Sequence, residues 1–155
     1  MRHLILIASL SSVTLLASCS GGSGSPQEDG YAALQAGDYT AAVTHLDEAL
    51  TTSKSGSTDY VEMAVARCQA LAHVDAARCT ADFLAIGSAV QAKDFSLVVA
   101  ELVADEKFLE AIDLLEAGVN RFAENPKMEQ LKKLVIMASL EDPAANAKLK
   151  GLGYI

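Results

Sequence analysis

The stretch Gly30-Tyr31-Ala32-Ala33-Leu34-Gln35-Ala36-Gly37-Asp38-Tyr39-Thr40-Ala41-Ala42-Val43-Thr44-His45-Leu46-Asp47-Glu48-Ala49-Leu50 decides the fold. Its apolar residues recur at three- and four-residue steps, the spacing that lines one face of an α-helix. Gly37-Asp38 interrupts the pattern: a glycine closes one helix and allows the turn into the next. Tyr39 stands where a large side chain fills the gap between two helices, and Ala42 and Ala49 are small enough to let them approach closely. One antiparallel helical hairpin follows.

The pattern recurs along the chain. Thirty-five residues beyond Tyr39, Ala42, Leu46 and Ala49 stand Val74, Ala77, Ala81 and Leu84. Thirty-four further stand Phe108, Ala111, Leu115 and Gly118, and in the helix preceding each set Ala33, Cys68 and Leu102 share one register. Over 29–126 this spacing resembles the tetratricopeptide repeat, a pair of antiparallel helices that stacks on its neighbours. The first unit fits best, through Gly30, Ala33, Gly37-Asp38-Tyr39, Ala42, Leu46 and Ala49-Leu50. The third, 105–115, also fits. Pro26 stands where the family often has Trp, Lys54 where it often has Pro, and the second unit lacks the turn glycine and the aromatic. The resemblance implies an all-α fold: a short right-handed α-solenoid of about three hairpins with C-terminal capping helices. The residues alone also allow an alanine-rich helical bundle.

The expected helices are 27–35, 40–52, 59–72, 75–91, 95–104 with Asp94 as its cap, and 107–122. One more starts at Asn125-Pro126 and runs to about 140, and a short last helix after Asp142-Pro143 stops near Gly151. Ser53 to Thr58 is loop by composition. The apolar tail Leu152 to Ile155 is expected to cover the open end of the stack or to dock on a neighbouring copy.

Composition agrees. The chain has 155 residues, one domain's worth, with 51% hydrophobic residues, 5% aromatic, no Trp and only 3 Pro. Twelve basic against twenty acidic residues, a formal charge of −8, argue against a nucleic-acid surface and against a polybasic membrane patch.

The N-terminus reads as an address. Arg2 gives a positive start, Leu4 to Leu16 is an apolar run too short for a stable span, and Leu16-Ala17-Ser18-Cys19 follows. This resembles the lipobox of bacterial lipoproteins. The resemblance implies cleavage after Leu16, Ala17 and Ser18, and lipidation of Cys19. Small side chains admit a protease to the backbone, and a thiolate takes the diacylglycerol. The expected organisation is a signal peptide over 1–18, a lipidated Cys and Gly/Ser-rich tether over 19–28, and the helical domain over 29–155. Ser20 after the cysteine, by the sorting rule of such lipoproteins, implies the outer membrane of a bacterial envelope, facing the periplasm. The acyl chains must hold an acidic domain there.

Cys68 and Cys79, each preceded by Ala-Arg, fall on the two helices of one expected hairpin. In an oxidising compartment they are a possible disulfide pair or two small buried thiols. His73 between them lacks the partners a zinc site needs and reads as a turn or surface residue. No nucleophile motif, phosphate loop or His-Glu metal motif is present. The expectation is no catalytic residue, no metal, no cofactor and no small-molecule substrate. The expected role is an adaptor or assembly factor binding an envelope protein along the first helices of the hairpins, with Gln27, Tyr31, Gln35, Glu62, Arg67 and Glu101 as groove candidates. A lipid-anchored spacer or homo-oligomer is the alternative.

Overall fold

The computed structural model describes residues 24–155, so the signal-peptide and lipobox residues, Cys19 among them, lie outside the described residues. The described residues form eight α-helices and one 3-10 turn, with no strand among them. The helices are α1 Pro26–Gln35, α2 Tyr39–Thr52, α3 Thr58–Val74, α4 Ala76–Ala85, α5 Ala92–Ala104, α6 Phe108–Arg121, α7 Pro126–Ser139 and α8 Pro143–Gly151. The 3-10 turn is Gly87–Ala89. The fold is all-α, as the sequence implies.

Local chemistry sets the boundaries. Helix α1 starts at Pro26, earlier than the expected domain edge at Asp29, because Ser25-Pro26-Gln27-Glu28 is a capping box. The Glu28 carboxylate accepts from Ser25 N–H at 2.9 Å and the Ser25 hydroxyl accepts from Glu28 N–H at 3.3 Å. Pro26 at the first helical position has no N–H to leave unpaired. Helix α5 also starts early. Asp94, expected as its cap, sits inside it, and its carboxylate reaches back to Gln91 N–H at 2.7 Å. Asn125 and Asp142 cap α7 and α8, each followed by proline, as expected.

Each helix packs on the next along α1 to α4 and α5 to α8, and on the next but one at α1–α3, α3–α5, α5–α7, α4–α6 and α6–α8. One core runs from α2 to α8, and Phe83, Leu102, Leu114, Leu115 and Leu149 are fully buried within it. Two glycines set close helix approaches. A Cβ on Gly30 would lie 2.7 Å from Leu46 Cγ, and one on Gly118 would lie 2.9 Å from Met128 Sδ and 3.0 Å from the Phe95 ring. The tail folds back on its own chain. Tyr154 N–H donates to Leu149 C=O at 3.0 Å, and Leu152 and Tyr154 pack on the main core.

The second hairpin departs from the 35-residue register. Val74, Ala77, Ala81 and Leu84, expected to face the partner helix, are all exposed. The inward set is Ala76, Cys79, Phe83 and Ile86, two residues later. The cause is the turn. In the first hairpin, Gly37 at φ 75° reverses the chain, with Asp38 N–H donating to Ala33 C=O at 2.9 Å. In the third, Glu106 at φ 58° does the same, with Lys107 N–H donating to Leu102 C=O at 2.8 Å. The second has no left-handed residue. Helix α3 continues to Val74, and Asp75 alone ends it and caps α4, its carboxylate accepting from Arg78 N–H at 3.0 Å. Helix α4 begins late and stays short, ending at Ala85.

Candidate functional site

The shifted register fixes where the cysteines lie. Cys79 takes the position held by Ala42 in α2 and Ala111 in α6, where a small side chain is needed, and both cysteines are wholly buried. They are free thiols, and Cys79 Sγ–H donates to the backbone carbonyl of Cys68 at 3.1 Å. Of the two readings open in the sequence, this is the arrangement of two small buried thiols. Burial pushes the Cys68 thiol up to about 12, only partly countered by the Arg67 charge. Burial, then the neighbouring Cys68, raises Cys79 as well. Thiols held neutral in this way are poor nucleophiles and poor metal ligands.

The Ala-Arg that precedes each cysteine acquires a role the sequence does not announce. Arg67 reaches Asp47 of α2 at 2.8 Å and Asp82 of α4 at 2.9 Å. Arg78 reaches the same two carboxylates at 3.0 and 3.3 Å. Two arginines and two aspartates thus close a ring that fastens α2, α3 and α4 together, with Arg67 the most enclosed member. Arg67 Nε is buried without a partner, the one such side-chain atom among the described residues. The guanidinium was a candidate groove residue, but the ring commits it to structure.

His73, read as a surface or turn residue, is 11% exposed in its side chain. Its ring stacks on Tyr39 with centroids 3.8 Å apart and planes 11° apart. Nε2 lies 3.1 Å from Glu101 Oε2 and Nδ1 lies 2.9 Å from Asp105 Oδ2, both on or at the end of α5. The ring therefore ties the α2 start, the α3 end and α5 together, and it removes Glu101 from the groove candidates. Sequence reasoning missed this because the carboxylates are 28 and 32 residues away from His73 in the chain.

The remaining candidates lie on α1 and α3. Gln27 and Gln35 are exposed on α1. Burial, and then the charge of Glu62 on α3, raises the Tyr31 phenol. A cleft of about 220 Å³ between the starts of α3 and α5 is lined by Thr58, Val61, Glu62, Gln91 and Lys93. The next, of about 210 Å³ between α5 and α7, is lined by Ser96, Lys127, Gln130 and Leu134. A further cleft, of about 490 Å³, lies elsewhere, between α1 and α2. Among the described residues no group of three His, Cys, Asp or Glu side chains is placed to hold a metal ion, and no helix is long and apolar enough to cross a membrane. Comparison with protein-family models, with curated proteins and with solved structures finds no match.

Proposed function

We propose that this protein is a lipid-anchored bacterial envelope protein whose hairpins stack in the tetratricopeptide manner and hold a partner protein along α1, α3, α5 and α7. The observation that carries the reading is the packing of these alternate helices: α1 on α3, α3 on α5, α5 on α7. A surface built from one helix of every hairpin, with shallow mixed polar and apolar clefts between successive members, suits an extended peptide or a partner helix. The equivalent turns of the first and third hairpins also support a repeated unit. Lipidation of Cys19 would hold the domain at the outer membrane, facing the periplasm, through the Gly/Ser-rich tether.

The role is that of an adaptor or assembly factor rather than an enzyme. The buried groups with shifted ionisation are two neutral thiols turned into the core, and the histidine is committed to two carboxylates. The test is crosslinking in intact cells, followed by affinity purification from detergent-solubilised envelope and mass spectrometry, with Cys19→Ser as control. One abundant envelope protein, lost in the control and weakened by Glu62→Lys with Lys93→Glu, is the expected result. A partner insensitive to both changes would sink the reading.

A further inference from the structure

The two ends of the helical array are complementary in charge. At the first end, α2 turns Val43 and Asp47 toward α3, where Asp47 meets Arg67. Its other side, with Ala41 and His45, faces away from α3 and joins Asp29, Ala32 and Ala36 of α1 around the cleft of about 490 Å³. Methyl groups make most of this wall. The hairpin from Gly24 to Ser53 carries five acids, Glu28, Asp29, Asp38, Asp47 and Glu48, and no lysine or arginine.

At the last end, α7 buries Met128, Leu131, Val135 and Ser139. The opposite side presents Leu134, Met137 and Leu140, and Met137 at 75% is the most exposed large apolar residue among those described. At 100° per residue, Lys133 falls between Met137 and Leu140 and Lys127 just beyond Leu134, and both are exposed. From Pro126 to Ile155 five lysines face three acids, a local excess of positive charge in a chain that is −8 as a whole. The chain's own tail does not cover the stripe: Leu152 and Tyr154 pack on the core, and Lys132 lies against the Tyr154 ring at 5.9 Å.

We propose that a second copy of this chain covers it. The lysine-bearing α7 stripe of one molecule docks in the acidic, alanine-walled α1–α2 cleft of the next. The contact extends the packing of each hairpin on its predecessor across a molecular boundary. It joins unlike surfaces, so it is heterologous and builds a head-to-tail row rather than a closed dimer. Opposite charge orients the two ends and disfavours like-to-like pairing. The contact shares Lys127 and Leu134 with the α5–α7 cleft but touches neither Glu62 nor Lys93 of the α3–α5 cleft, so its variants and those of the partner surface are read separately.

The test uses the full chain in its own envelope, with p-benzoylphenylalanine at position 137 and irradiation of intact cells. The expected product is a covalent dimer whose crosslink maps to 29–48 of the other copy. Asp29→Lys with Glu48→Lys should lower its yield at least fivefold, and so should Lys127→Glu with Lys133→Glu. Combining all four changes should bring it back to within twofold. Asp38 is left intact because it caps α2. A crosslink to 127–140 of the other copy would mean a like-to-like dimer and overturn the proposal. So would a crosslink to a different protein only, no crosslink, or a fourfold variant that stays low.

Discussion

The α1–α2 and α5–α6 hairpins share a turn, whereas the α3–α4 hairpin between them is built on another plan. In the outer two, a residue in the left-handed region reverses the chain and the second helix enters in the same register, with Ala42 and Ala111 at the crossing. In the middle one, the first helix runs on to Val74, Asp75 alone makes the turn, and the second helix enters two residues late. The core absorbs the difference because the shifted set, Ala76, Cys79, Phe83 and Ile86, keeps the small-then-large order of the others. An aromatic in that set also does what its counterparts Leu46 and Leu115 cannot. The Phe83 ring meets Phe95 edge to face at 4.9 Å, and Phe95 meets Phe122 at 5.9 Å, linking α4 to both helices of the following hairpin. A helical hairpin can thus vary in turn and register provided that the side chains at the crossing keep their sizes.

The largest expected effect tests the register itself. Phe83→Ala should cost about 3–5 kcal/mol in denaturant unfolding, as deletion of a fully buried aromatic does, while Leu84→Ala should stay within about 0.5 kcal/mol. Reversed magnitudes would restore the 35-residue register and break the comparison.

Arg67→Met comes next, at about 2 kcal/mol. It leaves Asp47 and Asp82 sharing Arg78 alone while keeping most of the apolar stem. The ring is partly open to solvent, so the loss falls below that of a fully buried pair. A double-mutant cycle of Arg67→Met with Asp82→Asn measures the coupling. A value near zero would reduce the ring to an incidental surface feature.

The middle hairpin should also respond to alkali through its two thiols. The Cys68 thiol is raised from 9.0 to about 12 in the folded chain and Cys79 is raised too. The unfolded chain therefore loses these protons first as pH rises past about 9. Stability from the buried thiols is complete below that pH and falls above it, by about 1.4 kcal/mol per pH unit for each thiol, until the folded thiols ionise. Unfolding between pH 8 and 11 should be less steeply pH-dependent in Cys79→Ala than in the parent chain. Equal slopes would mean that the thiols are not held neutral.

The smallest effects compare the two like turns. Gly37→Ala puts a Cβ on a residue at φ 75° and should cost about 1–2 kcal/mol. Glu106→Gly relieves the same conformation in the third hairpin and should gain about 0.5 kcal/mol. Thermal unfolding of both variants reads the pair, and a loss on Glu106→Gly would show that the carboxylate side chain contributes more than the backbone relief.

Local signals were the legible part of the fold. The capping residues Asn125 and Asp142, the prolines behind them, and Gly37 placed helix starts and stops because each acts within a turn of its own position. The two units with recognisable turns were read in their correct register. The middle unit was not, since periodicity carried forward from its neighbours says nothing about how many residues a turn consumes. Of the site, the burial of Cys68 and Cys79 was one of two open readings. The arginine ring and the His73 clasp were illegible: apart from Arg78 and Asp82 on one helix, their partners lie 15 to 34 residues apart in the chain, and no motif marks them.

The sequence by itself determined that this is an acidic, all-helical chain of short hairpins, because helix periodicity and capping are local properties of a few neighbouring residues. Only the tertiary structure decided which face of α4 turns inward, what the two arginines and the histidine hold, and which polar residues are left facing outward. Those depend on how far one turn carries the chain before the next helix packs, and a shift of two residues there exchanges a buried face for an exposed one.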